Sequence, residues 1–152
     1  MNDATKAKLN IPIPNGLSPA DGLCTGGQPQ AEHLRAAQAQ GVRVVINLRP
    51  PSEPCDFNEG ELVQSLGMRY INIPVAGPAD LTQVNAQRLA DALNAAGDSP
   101  VLVHCASGNR VGALFALKAR FLDGAGIDDA LAAGRATGLL AMEPTVRTIL
   151  GG

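Results

Sequence analysis

Val101-Leu-Val-His-Cys-Ala-Ser-Gly-Asn-Arg-Val-Gly-Ala113 decides the fold and locates the chemistry. The apolar run from Val101 to Val103 reads as a strand. His104 and Cys105 lead into a small polar loop, Ala106-Ser107-Gly108-Asn109, and a helical run follows from Arg110 to Phe121. The pattern is strand, tight loop, helix. A loop that opens a helix leaves backbone N–H groups unpaired and faces the positive end of the helix dipole. Such a loop holds an anion. A thiol placed in it ionises more easily and becomes a nucleophile. An arginine beside it can fork onto two oxygens of an oxyanion. The stretch therefore predicts an active site with Cys105 as nucleophile, Arg110 as anion ligand and Ala106, Ser107, Gly108 and Asn109 as the cradle. The plainer alternative for Cys105 is a packed thiol, but that leaves the glycine and the arginine unexplained.

Working outward, Val42-Arg-Val-Val-Ile-Asn-Leu48 is a β-branched run and a second strand. Arg49-Pro-Pro-Ser-Glu-Pro-Cys55 follows it as a loop, because its prolines lack donors. Met68 to Val75 alternates as a third strand, and Leu23 to Gly27 reads as a short one. Helical spacing predicts helices over Ala31–Ala39, Asn58–Leu66, Thr82 to about Gly97, Ile127–Ala136 and Pro144–Leu150. Residues 1–22, rich in Pro, Gly and Asn, read as irregular. Strands alternating with helices predict a single α/β domain over residues 1–152, a three-layer structure with a mostly parallel sheet and helices on both faces. In such sheets the working crevice lies beyond the carboxyl ends of the strands. Three loops, 49–57, 74–81 and 104–110, meet there. They bring Arg49, Glu53, Cys55, Asp56, Asp80, Cys105 and Arg110 together.

The composition narrows the class of function. The chain has 152 residues, 45% of them hydrophobic and 17% charged, which is enough for one packed core. Only 3% are aromatic, so Val, Leu, Ile and Ala must fill that core. The net charge of −2, with no basic block, gives no indication of a nucleic-acid or membrane-surface partner. No apolar run approaches the ~20 residues that span a bilayer. The polar start, Met1 to Asn10, lacks the apolar centre of a signal peptide, so a cytoplasmic protein is expected. Three cysteines without C-x-x-C spacing and two histidines argue against a disulfide framework and a metal site. No nucleotide-binding fingerprint is present, and no cofactor is expected.

Three segments carry a family resemblance: Gly26-Gly27-Gln28-Pro29; Gly41-Val42 with Val45-Ile46-Asn47-Leu48-Arg49 and Glu53; and Val103-His104-Cys105-x-Ser107-Gly108-x-Arg110. Together they span residues 23–120. The chain resembles the cysteine-dependent protein tyrosine and dual-specificity phosphatases. More closely it resembles a bacterial phosphatase-like family, in some members fused to a metallo-β-lactamase-like domain. The resemblance implies a dual-specificity-phosphatase fold, a Cys105 thiophosphate intermediate and a phosphorylated small molecule or phosphoprotein as partner. It implies an aspartate on an upstream loop as general acid, for which Asp80 is the first candidate and Asp56 the second. It gives His104 a supporting role beneath the loop. Arg49 and Glu53 read as an ion pair bracing the crevice. Some such phosphatases protect their nucleophile by a reversible disulfide, for which Cys55 is the candidate partner.

One departure matters. The phosphatase signature is Cys-x5-Arg followed by Ser or Thr. Here the spacing is Cys-x4-Arg followed by Val111. One backbone N–H is missing from the cradle. The length is similar to the six-residue loop of rhodanese-type sulfurtransferases, which hold a cysteine persulfide. Hydrolysis of a phosphomonoester and transfer of sulfane sulfur between a donor and a thiol acceptor therefore both stay open, as does a module that only binds an anion or a phosphoprotein.

Overall fold

The computed structural model describes residues 8–151. Five strands, β1 (Leu17–Ala20), β2 (Leu23–Gly26), β3 (Val44–Asn47), β4 (Arg69–Asn72) and β5 (Val101–His104), form one sheet in the order β1-β2-β5-β3-β4. The β2, β5, β3 and β4 strands run parallel, and β1 is the antiparallel edge. The strand that leads into Cys105 is therefore the central one. Six α-helices accompany the sheet among the described residues: α1 (Ala31–Ala39), α2 (Glu59–Ser65), α3 (Gln83–Ala96), α4 (Asn109–Phe121), α5 (Ile127–Ala136) and α6 (Glu143–Leu150).

Alternation along the strands separates two cores. On β3 and β5, Val44, Ile46, Val101 and Val103 pack with α3, α4, α5 and α6. Val45 and Leu102 face the other way, against α1, α2 and the N-terminal Leu9, Ile11 and Ile13. Each fully buried Val or Leu adds roughly 1.5–3 kcal/mol over the exposed side chain. The same alternation carries into the site. Cys105 belongs to the α4 face, while His104 sits buried on the α2 face.

The helices stop and start where their local chemistry dictates. Asn58 caps α2 by accepting from Glu61 N–H, and Thr82 caps α3 by accepting from Asn85 N–H. His33 closes the first turn of α1 by accepting from Gln30 N–H at 2.9 Å. Where α4 meets α5, a β-carbon on Gly112 would lie 2.0 Å from the Leu139 nitrogen, so only glycine fits that crossing.

The expectation of an irregular segment over residues 1–22 is corrected in part. Residues 1–7 lie outside the described residues, but Leu17–Ala20 is a strand, turned into β2 at Asp21-Gly22 with φ +77° at Gly22. Pro19 disguised it, and it is tolerated because β1 is an edge strand that need not donate on both sides. The apolar residues Leu9, Ile11 and Ile13 upstream are buried rather than loose. The third strand is shorter than expected, ending at Asn72 before Pro74, although Ile73 and Val75 still donate to Asn47 and Leu48 carbonyls.

Candidate active site

The site is built where β5 hands the chain to α4. Gly108 adopts φ +98°, a left-handed conformation that turns the chain into the helix. Its N–H donates to Cys105 Sγ at 3.1 Å, which places the thiol inside the curl of the loop. The N–H groups of Ala106, Asn109 and Arg110 meet no acceptor among the described residues. Together with the start of the helix they leave a row of unpaired donors where the sequence reading expects an anion cradle. Cys105 is completely buried.

Arg110 is held rigidly, and the way it is held leaves one edge open. Its Nη1 donates to Glu53 Oε2 at 2.7 Å and to the Val75 carbonyl at 2.8 Å, and its Nη2 donates to Glu53 Oε1 at 3.1 Å. A guanidinium has five N–H groups. The Nε–H and the second Nη2–H meet no oxygen acceptor among the described residues, and the guanidinium also interacts with the Cys105 side chain, so this edge can fork onto two oxygens of an anion held at the thiol. The Glu53 hydrogen bond raises the affinity of Arg110 for its proton, and the charge of Cys105 adds to it. Arg110 in turn holds the Glu53 carboxyl below the usual carboxylate range, with Arg49 contributing less.

Glu53 therefore serves two arginines. Arg49 Nε donates to Glu53 Oε1 at 3.0 Å, while its Nη1 reaches Gln28 Oε1 at 2.5 Å and its Nη2 the Pro54 carbonyl at 2.6 Å. The ion pair expected between Arg49 and Glu53 is present, and it extends to Arg110. Asn47, which the sequence reading quoted in a family-like segment without giving it a role, fixes the start of this loop by accepting from Arg49 N–H at 2.8 Å and donating to the Tyr70 hydroxyl at 3.0 Å.

Beneath the loop, His104 is fully buried, and its Nε2 lies 2.5 Å from Glu59 Oε2. Its Nδ1 lies 3.1 Å from the Cys105 carbonyl. Gln28 Nε2 donates to the other oxygen of Glu59 at 2.7 Å. Glu59 opens α2, 46 positions upstream of Cys105, and no local motif marks it. The only sequence signal was an acidic residue in a helical first turn, which normally reads as a dipole partner.

Ser107 and Asn109 tie the loop to its surroundings. The Ser107 carbonyl accepts from Asn15 Nδ2 at 2.9 Å, and Asn109 Oδ1 accepts from Leu140 N–H at 2.8 Å. Asn109 contributes its backbone to the cradle, while its side chain turns away toward the α5–α6 connection. Two hollows lie nearby, neither of them lined by Cys105 or Arg110. One, of about 550 Å³, is lined by Gln28, Arg49, Glu53, Cys55, Glu59 and Tyr70 among others. The other, of about 350 Å³, lies against Ser107, Asn109, Leu17, Leu139 and Leu140.

The remaining residues stand farther from the thiol's immediate partners. Asp80 sits in a 3-10 turn over Pro78–Asp80, where its carboxylate accepts from Ala76 N–H at 2.8 Å. The loop carrying it is joined to the site through Val75, whose carbonyl receives Arg110. Asp56 lies beside Cys55 on the rim of the Arg49 loop. Cys55 is exposed and Cys105 buried, and both are free thiols. Cys24 is buried in the α1 face, where burial pushes its thiol up to about 11. Among the described residues no cluster of His, Cys, Asp and Glu has the makings of a metal site, and no helix is long and apolar enough to cross a membrane.

Comparison with known proteins agrees with this fold. A beta-lactamase hydrolase-like protein of Agrobacterium fabrum (strain C58) is 33% identical over 99 residues, 62% of this chain and 22% of that protein. The chain thus spans about a fifth of the length of the curated relatives it matches. A DUF442 protein of Shewanella putrefaciens CN-32 is 26% identical, with a TM-score of 0.70 covering 91% of this chain and 87% of that one. The core catalytic domain of the PP-IP phosphatase of Saccharomyces cerevisiae, solved with citrate, shares the fold at 18% identity and a TM-score of 0.64. It covers 93% of this chain and 88% of that one. The architecture is that of the dual-specificity and tyrosine phosphatases. Residues 20–121 match the family described as "Beta-lactamase hydrolase-like protein, phosphatase-like domain", and this chain belongs to that family.

Proposed function

We propose that this chain is a cysteine-dependent phosphatase acting on a phosphorylated small molecule or phosphoprotein. The observation that carries the reading is the Nε and Nη2 edge of Arg110, free of any oxygen partner among the described residues, beside a buried thiol that accepts from Gly108 N–H. In this mechanism the Cys105 thiolate attacks phosphorus, an S–P bond forms and the P–O bond to the leaving group breaks. Arg110 and the N–H groups of the loop take up the charge on the equatorial oxygens. Asp80 gives the departing oxygen its proton, after leaving Ala76 N–H. Water then cleaves the S–P bond, releasing phosphate and restoring the thiolate. The yeast catalytic domain that shares the fold was solved in complex with an anion, citrate, which supports an anion as the kind of ligand to test.

A second reading is favoured by two observations: the Cys-x4-Arg spacing, and an Asp80 carboxylate already bonded to its own loop. In rhodanese-like transfer, Cys105 accepts a sulfane sulfur from a donor and passes it to a thiol, with no general acid. Parallel assays separate the two. Hydrolysis of p-nitrophenyl phosphate above the Cys105→Ser background supports the phosphatase. Thiocyanate formation from thiosulfate and cyanide, without hydrolysis, replaces it with the sulfurtransferase. Neither activity leaves an anion-binding module.

A further inference from the structure

The His104–Glu59 pair is buried with both ring nitrogens facing oxygen partners. His104 Nδ1 faces the Cys105 carbonyl, which can only accept, so Nδ1 carries a hydrogen. Nε2 stands 2.5 Å from a Glu59 oxygen, and a bare nitrogen facing a bare carboxylate at that distance would be repulsive. One more proton lies between them. Gln28 Nε2 donates to the other Glu59 oxygen, which leaves Oε2 as the carboxyl oxygen that faces His104 Nε2. Both side chains are buried, at 0% and 4% exposure, so no water substitutes for either partner.

We propose that Glu59 is a positioning residue for the nucleophile: it keeps His104 doubly protonated, with one N–H on the carboxylate and the other on the Cys105 carbonyl. The imidazolium then sits one peptide from the thiol and draws electron density from the Cys105 carbonyl. It also locks the end of β5 in the orientation that lets Gly108 N–H reach Sγ. The inference rests on Cys105 being the nucleophile, and it holds for phosphoryl or sulfur transfer alike. The other titratable groups around the pair are Cys105 and Arg110 from the β5–α4 stretch, Arg49, Glu53 and Cys55 from the loop after β3, and Tyr70 from β4.

Glu59→Gln is a discriminating variant. The amide can still accept from Gln28 and donate to Nε2 of a neutral His104, so the hydrogen-bond pattern survives while the extra proton is lost. Two measurements on the intact chain test the proposal without relying on turnover. The first is nitrogen NMR of the His104 ring. The wild type should show both ring nitrogens protonated near neutral pH, and Glu59→Gln only Nδ1. The second is iodoacetamide alkylation of Cys105, read by peptide mass after digestion across a pH series. Glu59→Gln should slow Cys105 alkylation about tenfold at mildly acidic pH, the loss expected for a tenfold smaller thiolate fraction, and move its pH profile upward, with Cys55 alkylation unchanged. A neutral His104 in the wild type would overturn the proposal. So would a Cys105 profile that does not move in a Glu59→Gln protein whose thermal midpoint matches the wild type. Loss of p-nitrophenyl phosphate hydrolysis as the assigned reaction would leave both readouts intact, so the two claims fail separately.

Discussion

At the scale of single residues, the site is a chain of fixed contacts leading to one open edge. Glu53 is the pivot, because it alone orients Arg110 and Arg49 together. Glu53→Gln should lower kcat/KM about 10–100-fold, since a misoriented guanidinium meets the transition state badly. Its stability effect should depend on pH with a definite sign. A carboxyl held below its ordinary value adds stability above its unfolded pKa and loses it as pH falls through the lowered value. The stability gap between wild type and Glu53→Gln in urea should be full at neutral pH and shrink below about pH 4. A gap that stays constant across that range contradicts the pairing. The role of Cys55 is also a residue-scale question. As a reversible partner of Cys105 it must move inward, since one thiol is exposed and the other buried. Mild peroxide should remove two free thiols from the wild type and fewer from Cys55→Ser. Equal losses would rule the partnership out.

At the scale of elements, α4 does two jobs. Its first turn presents unpaired N–H groups beside Cys105, and its middle packs against α5 across Gly112. Gly112→Ala would drive a methyl group into the Leu139 nitrogen and the Gly134 carbonyl, at 2.0 and 2.6 Å, and neither is a side chain that can swing away. The substitution should cost about 1–3 kcal/mol in chemical denaturation, and an unchanged midpoint would show that the crossing is looser than described. Most elements were legible from local signals. The α1 bounds follow from good helix formers ahead of Gly41, and α3 begins at the Thr82 cap. β1 was hidden by Pro19, because a rule about central strands does not bind an edge. Cys105 and Arg110 were readable because the chemistry lies within six consecutive residues. Glu59, Gln28 and Asn47 were not, because each acts through a contact between different loops or elements. The register of β3 beside β5, with Asn47 opposite His104, exists only once the sheet is assembled.

At the scale of the whole molecule, the fold turns a short sequence into a site by making β5 the central strand. The flanking strands β2 and β3 deliver Gln28 and Arg49 to either side of it. The two cores hold opposite faces of that strand, so the thiol is fixed from the α4 side and the imidazole from the α2 side. This arrangement is the phosphatase architecture, while the loop it carries is one residue shorter than the phosphatase signature. The central claim, that the shortened loop still transfers a phosphoryl group through Cys105, is tested most directly by acid-quenching the protein during turnover of p-nitrophenyl phosphate and weighing the Cys105 peptide. The account predicts a phosphoryl group on that peptide in the wild type and none in Cys105→Ser. A Cys105 peptide that carries no phosphoryl group under turnover, but gains a sulfur atom on incubation with thiosulfate, would contradict it.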